Sequence, residues 1–131
     1  MIGCIVQARM GSSRLPGKTL LKIDDKKTVL EFGINQLTSS NLLDKIIVAT
    51  TNLKSDDVIE NFVKNMNVDV FRGKSNDVLD RYFQCAKHFS IDTIVRITGD
   101  NPLIDPTIID DLIQKFTSNS YDYLSNAHVR T

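Results

Sequence analysis

Short runs of aliphatic and β-branched residues alternate along this chain with segments whose apolar residues return every three or four positions. That alternation constrains the fold more than any other feature. Residues 1–7, 45–50, 69–71, 93–98 and 121–125 read as strands, several of them rich in Val and Ile. The first, second and fourth are apolar on both faces, as strands inside a parallel sheet should be. Between them, residues 29–37 set Leu30, Ile34 and Leu37 on one helical face, and residues 56–66 stack Val58, Phe62 and Met66 at four-residue spacing. Residues 77–87 align Val78 with Tyr82 and Leu79 with Phe83. A fourth helix begins with Asp105 as N-cap and Pro106 at the first helical position, and its pattern buries Ile108, Ile109, Leu112 and Phe116. The βαβα order predicts an α/β fold, a three-layer, mostly parallel, doubly wound sheet. Ligands of such sheets bind beyond the carboxyl ends of the strands, so a site belongs in the loops after Gln7, Thr50, Phe71 and Thr98.

At 131 residues, 41% of them hydrophobic, the chain is about one domain and can bury a core without disulfide or metal staples. Its 16 basic residues balance 16 acidic ones, which leaves no electrostatic footprint for a nucleic-acid or membrane partner and points to a small-molecule ligand. The apolar run at residues 2–6 is too short for a membrane span or a signal-peptide core, so a cytoplasmic location is expected. Cys4 and Cys85 sit in apolar patterns without metal-site spacing and read as packed, reduced thiols. His88 and His128 lack the partner spacing of a triad or a metal site.

Directly after the first strand runs Gln7-Ala8-Arg9-Met10-Gly11-Ser12-Ser13-Arg14-Leu15-Pro16-Gly17-Lys18, with two glycines, two serines and three cations. This is the composition of a phosphate cradle: glycines admit oxyanions close to backbone N–H groups, serines add donors, and Arg and Lys neutralise charge. A Walker A loop is a poor match. Five residues rather than four separate Gly11 from Gly17-Lys18-Thr19, and Leu20 to Ile23 run straight into Asp24-Asp25-Lys26-Lys27, which reads as a turn where a P-loop needs a helix. No G-x-G-x-x-G follows the first strand either, so a dinucleotide site has nothing to carry it.

The same twelve residues resemble the N-terminal signature of the cytidylyltransferase family that includes CMP-Kdo and CMP-sialate synthetases. They are closest to the branch typified by the spore coat polysaccharide biosynthesis protein F. The resemblance implies a nucleotide-diphosphosugar-transferase α/β fold in which this loop wraps the triphosphate of CTP. It makes Arg9 and Lys18 the triphosphate-binding, catalytic cations, places Ser12, Ser13 and Arg14 in the same wrap, and brings the main chain close to the nucleotide at Ala8 and Gly11.

A second constellation follows the strand at residues 93–98, where Gly99-Asp100-Asn101-Pro102 sets a carboxylate at the ligand-facing end. Taken alone, this is either good turn chemistry or a magnesium ligand, since Mg²⁺ takes one or two carboxylates completed by water and phosphate oxygens. The phosphate loop favours the metal. Residues 96–106 are also similar to the family's second motif, which implies that Asp100 binds the catalytic Mg²⁺. Asp105 is better explained as a helix cap. In the segment between the motifs, Arg72 is expected to face the nucleotide, whereas Asp80 and Arg81 read as surface helix charges.

The resemblance covers the whole chain but about half of a family member, so residues 1–131 are expected to be the nucleotide-binding portion. The remainder would carry the sugar pocket, part of the sheet, a further acidic metal ligand and the element for a homodimer of the full-length form. The implied reaction is attack of a sugar-acid hydroxyl on the α-phosphorus of CTP with release of pyrophosphate, in the service of polysaccharide synthesis. Positioning and charge neutralisation would supply most of its acceleration. No general base is evident. A sugar-1-phosphate nucleotidyltransferase, a non-catalytic CTP-binding module and an interaction domain without a nucleotide site remain as alternatives.

Overall fold

A computed structural model describes residues 1–11, 17–100 and 104–125. Four strands, β1 (Ile2–Gln7), β2 (Lys45–Thr51), β3 (Asp69–Gly73) and β4 (Thr93–Thr98), alternate with α1 (Val29–Leu37), α2 (Asp57–Asn65), α3 (Val78–His88) and α4 (Pro106–Thr117). The strands form one parallel sheet in the order β3-β2-β1-β4. β1 is paired on both edges and covered by helices on both faces, so its side chains must be apolar on both, and Cys4, Ile5 and Val6 are all buried.

The period-two alternation of β1 and β2 divides the core in two. Cys4, Val6, Ala8 and Val48 pack with Leu30, Ile34 and Leu37 of α1, Ile59 and Val63 of α2, and Ile109 and Ile113 of α4. Ile5, Ile47 and Ala49 face the opposite way, onto Tyr82, Cys85 and Ala86 of α3. Helices therefore cover both faces, which gives the three layers expected of a doubly wound sheet. Burying each such aliphatic side chain is worth about 1.5–3 kcal/mol. No helix among the described residues is long and apolar enough to cross a membrane.

Local signals fix where the helices begin. Thr28 accepts from Glu31 N at 3.1 Å to open α1, Asp77 accepts from Asp80 N at 2.9 Å to open α3, and Asp105 accepts from Thr107 N at 2.8 Å ahead of Pro106 in α4. Asp105→Ala should accordingly cost about 0.5–2 kcal/mol of stability, read from the urea midpoint, with no effect on ligand binding.

Several faces differ from the sequence pattern. On α2 the β-branched Ile59 and Val63 enter the core, while Phe62 and Met66 pack at its margin and Val58 is exposed. On α3, Leu79 is 80% exposed and Phe83 60% exposed, because Tyr82, Cys85 and Ala86 take the sheet-facing positions. On α4, Ile108 points outward and Ile113 takes its expected place. Residues 121–125, expected as a strand, form none: they are largely exposed and pair with no strand. Burial pushes the Cys4 thiol up to about 12 and the Cys85 thiol up to about 11, so both are inert packing groups. His88 lies 4.8 Å from the Phe89 ring and 5.9 Å from the Phe71 ring, a packing role, and His128 lies outside the described residues.

Candidate nucleotide site

The carboxyl ends of β1 and β4 meet through one short contact. Gly99 N donates to Gln7 O at 2.7 Å. A Cβ on residue 99 would stand 2.9 Å from that same oxygen and 3.1 Å from Ala8 Cβ, so only glycine lets the two chain ends close here. On the other side, Ala8 N donates to Ala49 O at 3.1 Å and carries the β1–β2 pairing one residue further. The segment leaving β1 is thus fixed at its root by both neighbouring strands.

Beyond that root the chain folds back on itself. Gly17, at φ 75, donates from its N–H to Met10 O at 2.8 Å, and the Thr19 hydroxyl donates to Arg9 O at 3.4 Å. Lys18–Leu20 makes a single 3-10 turn, followed by a turn in which Asp24 Oδ1 accepts from Lys26 N and Lys27 N, each at 2.8 Å. No α-helix starts at Lys18, unlike a P-loop. Met10 is held from its other side as well: its N–H donates to Asp56 Oδ1 at 2.8 Å.

This backbone presents an open cleft of about 210 Å³ lined by Gln7, Ala8, Arg9, Lys18, Thr19, Thr98 and Asp100. Two cations and one carboxylate face it. Lys18 Nζ stands 3.8 Å from Asp100 Oδ2, both side chains being about half exposed. A pair so exposed contributes about 0–1 kcal/mol, so either partner is free to turn to a ligand at little cost. Among the described residues no three His, Cys, Asp or Glu side chains gather as a preformed metal cage. A single half-exposed carboxylate beside a phosphate-sized cleft fits Mg²⁺ only as a ligand shared with substrate phosphates and water.

The structure brings Ala8, Arg9, Lys18 and Asp100 of the expected residues together at this cleft. Gly11 follows at an exposed position outside its lining. Ser12, Ser13 and Arg14 lie outside the described residues. Arg72 is placed elsewhere. Its Nε donates to Thr51 O at 2.7 Å, Nη2 to Leu53 O at 2.6 Å and Nη1 to Asp57 Oδ1 at 2.6 Å, so its guanidinium ties the end of β2 to the start of α2.

Arg81, expected on the surface, is 1% exposed. Its guanidinium donates to Lys74 O and Ser75 O, and burial together with the nearby Arg9 charge lowers its pKa from the usual arginine value. Gln7 joins the site beyond the residues expected from the motifs. It lines the cleft and its Oε1 accepts from the Tyr82 hydroxyl at 3.4 Å, while Arg96 lies over the Tyr82 ring at 5.0 Å. Strand position was the available signal for Gln7, a polar residue at the ligand-facing end of a buried strand.

Comparison with known proteins settles the family. A family model described as cytidylyltransferase matches residues 3–131. The chain belongs to the cytidylyltransferase family. Spore coat polysaccharide biosynthesis protein SpsF of Bacillus subtilis is 35% identical, over 94% of this chain and 53% of its own length. A 3-deoxy-manno-octulosonate cytidylyltransferase of Leptospira interrogans is 33% identical, over 95% of this chain and 50% of its own. The solved structure of a cytidylyltransferase from Leptospira borgpetersenii superposes with a TM-score of 0.85 at 44% identity, covering 91% of this chain and 50% of that one. The chain spans about half the length of the curated cytidylyltransferase relatives it matches. Both the three-layer parallel sheet and the motif at Gln7 to Lys18 agree with membership of this family.

Proposed function

We propose that the cleft between β1 and β4 binds the triphosphate of CTP with Mg²⁺, and that the chain serves transfer of CMP to the hydroxyl of a sugar acid for polysaccharide synthesis. The observation that carries this reading is the convergence of Arg9, Lys18 and Asp100 on one cleft at the carboxyl ends of β1 and β4. Family membership supports the nucleotide. The names of the relatives support a sugar acid and a polysaccharide product.

In this reading Arg9 and Lys18 neutralise the phosphate chain and the charge that grows on departing pyrophosphate. The tight root at Ala8 and Gly99 keeps bulk away from the incoming phosphates. Asp100 would hold Mg²⁺, which when bound supplies a Lewis acid and a clamp on phosphate oxygens. At about 210 Å³ the cleft is smaller than the roughly 300–1,000 Å³ of a full small-molecule pocket, a size suited to phosphates more than to base and sugar. The reaction belongs in the cytoplasm, where nucleoside triphosphates are held.

A thermal-shift panel of CTP, UTP, GTP and ATP, each with and without Mg²⁺, tests the assignment. CTP with Mg²⁺ should stabilise most, by about 2.7 kcal/mol at a hundred times its dissociation constant. Equal shifts for all four nucleotides would keep a phosphate site and remove the cytidine assignment. Lys18→Ala should weaken CTP binding by about 1.5–3 kcal/mol, the range for a hydrogen bond to a charged group, and leave the urea midpoint unchanged. Full affinity in the folded variant would take Lys18 out of the site.

A further inference from the structure

Asp56 occupies the N-cap position of α2, where an aspartate ordinarily accepts from a free helix N–H, yet its side chain makes no capping bond. The carboxylate is turned away from its own helix. Oδ1 accepts from Met10 N at 2.8 Å, and Oδ2 accepts from the Thr51 hydroxyl at the end of β2. The residue is 1% exposed. A buried carboxylate is costly, and forgoing the local cap adds to that cost, so the remote contacts are what this side chain is held for.

We infer that Asp56 is a positioning residue for the nucleotide cleft, anchoring the loop that carries Arg9 and Lys18 to the junction of β2 and α2. The inference rests on the functional reading above. Asp56 does not line the cleft, so it acts through Met10. Met10 is gripped at both of its backbone polar groups, its N–H by Asp56 and its carbonyl by Gly17 N. Arg9 precedes this grip and Lys18 follows it, with the Thr19 hydroxyl closing on Arg9 O. The Met10–Gly17 bond alone joins two parts of one loop and fixes neither to the body of the protein. The neighbouring strands hold the loop at its root, Gln7 and Ala8, and Asp56 adds a fixed point beyond Arg9. With it, the two cations meet a phosphate chain already ordered, and without it the ordering entropy falls on binding.

Calorimetric titration with CTP and with inorganic tripolyphosphate, both with Mg²⁺, is paired with amide hydrogen exchange and urea unfolding on wild type, Asp56→Asn, Asp56→Ala and Thr51→Val. Asn retains an oxygen to accept from Met10 N, so Asp56→Asn should bind within about threefold of wild type, whereas Asp56→Ala should lose about tenfold or more. The loss should be equal for both ligands, because the anchor serves the phosphate-binding cations. Exchange at Met10 and Gly17 should quicken in Asp56→Ala while amides of the sheet stay protected.

Wild-type affinity in Asp56→Ala would overturn the inference, as would an equal loss in Asp56→Asn, a loss for CTP alone, or unchanged Met10 exchange. Should Asp56→Ala not fold, Thr51→Val decides. It frees one side of the carboxylate and should speed Met10 exchange with a smaller loss of affinity; unchanged exchange and affinity would overturn the proposal. Failure of wild type to bind either ligand would sink the functional reading, and the Met10 exchange comparison would still settle whether Asp56 anchors the loop.

Discussion

Asp100→Asn is expected to abolish most of the magnesium dependence of CTP binding and to leave the ligand-free chain as stable as before. The carboxylate is about half exposed and its ion-pair partner, Lys18 Nζ, is 3.8 Å away. Such a contact contributes about 0–1 kcal/mol to folding, so its loss should be hard to see in a urea curve. Binding is a different matter. Beside a triphosphate the wild-type carboxylate is repelled, by about 1 kcal/mol for unit charges 4 Å apart in water and more in a partly closed cleft, unless a divalent cation bridges the two. Without metal, Asp100→Asn should therefore bind CTP somewhat more tightly than wild type, and with metal markedly less tightly. Asp105→Ala, whose carboxylate is committed to capping α4, should show the wild-type magnesium effect. CTP titrations with Mg²⁺ and with chelator on the three proteins make the comparison. A full magnesium effect in Asp100→Asn, or its loss in Asp105→Ala alone, would move the metal ligand elsewhere.

Arg81→Ala is expected to cost about 3–5 kcal/mol, the range for emptying a large buried side chain. Its stem packs against Gly73, where an added Cβ would come within 2.8 Å of Arg81 Cγ. The head donates from Nη2 to Lys74 O at 3.0 Å and to Ser75 O at 3.2 Å, holding the turn between β3 and α3. Truncation opens a cavity and leaves two carbonyls without their donor. Arg81→Met restores most of the volume without the donors and should lie between, at about 1–3 kcal/mol below wild type. Small domains have about 5–15 kcal/mol in all, so the alanine variant should be visibly marginal in urea. An alanine variant as stable as wild type would return Arg81 to the surface, where its sequence neighbourhood put it.

The contrast between these two residues explains what could be read from the chain beforehand. Arg9 and Lys18 stand in the motif after β1 and Asp100 in the motif after β4, so strand periodicity and local composition locate the two loops, and the family resemblance singles out these residues within them. Arg81 and Asp56 are charged residues on or beside amphipathic helices, where a solvated face is the ordinary outcome. Their burial follows from partners outside their own helices: a glycine in the preceding strand for Arg81, the remote Met10 amide for Asp56. The helix faces failed in a similar way. Val58-Phe62-Met66 and Ile59-Val63 are adjacent stripes on α2, and only the position of the sheet chooses between them. Tyr121 and Tyr123 alternate as a strand would, but a strand also needs a neighbour to pair with, and none adjoins them among the described residues.

The bond from Gly99 N to Gln7 O has a temporal consequence. On a ribosome, Arg9 and Lys18 emerge well before β4 and Asp100, with a delay of several seconds between them at about 5–20 residues per second. Until then β1 has β2 available on one side and an unpaired edge on the other, a row of free backbone groups open to wrong partners. Pairing of β1 with β4 closes a long stretch of chain and should be among the slower steps of folding. A nucleotide that needs Arg9, Lys18 and Asp100 together can bind only after that step, so CTP would draw the population toward chains whose central strand is already sealed.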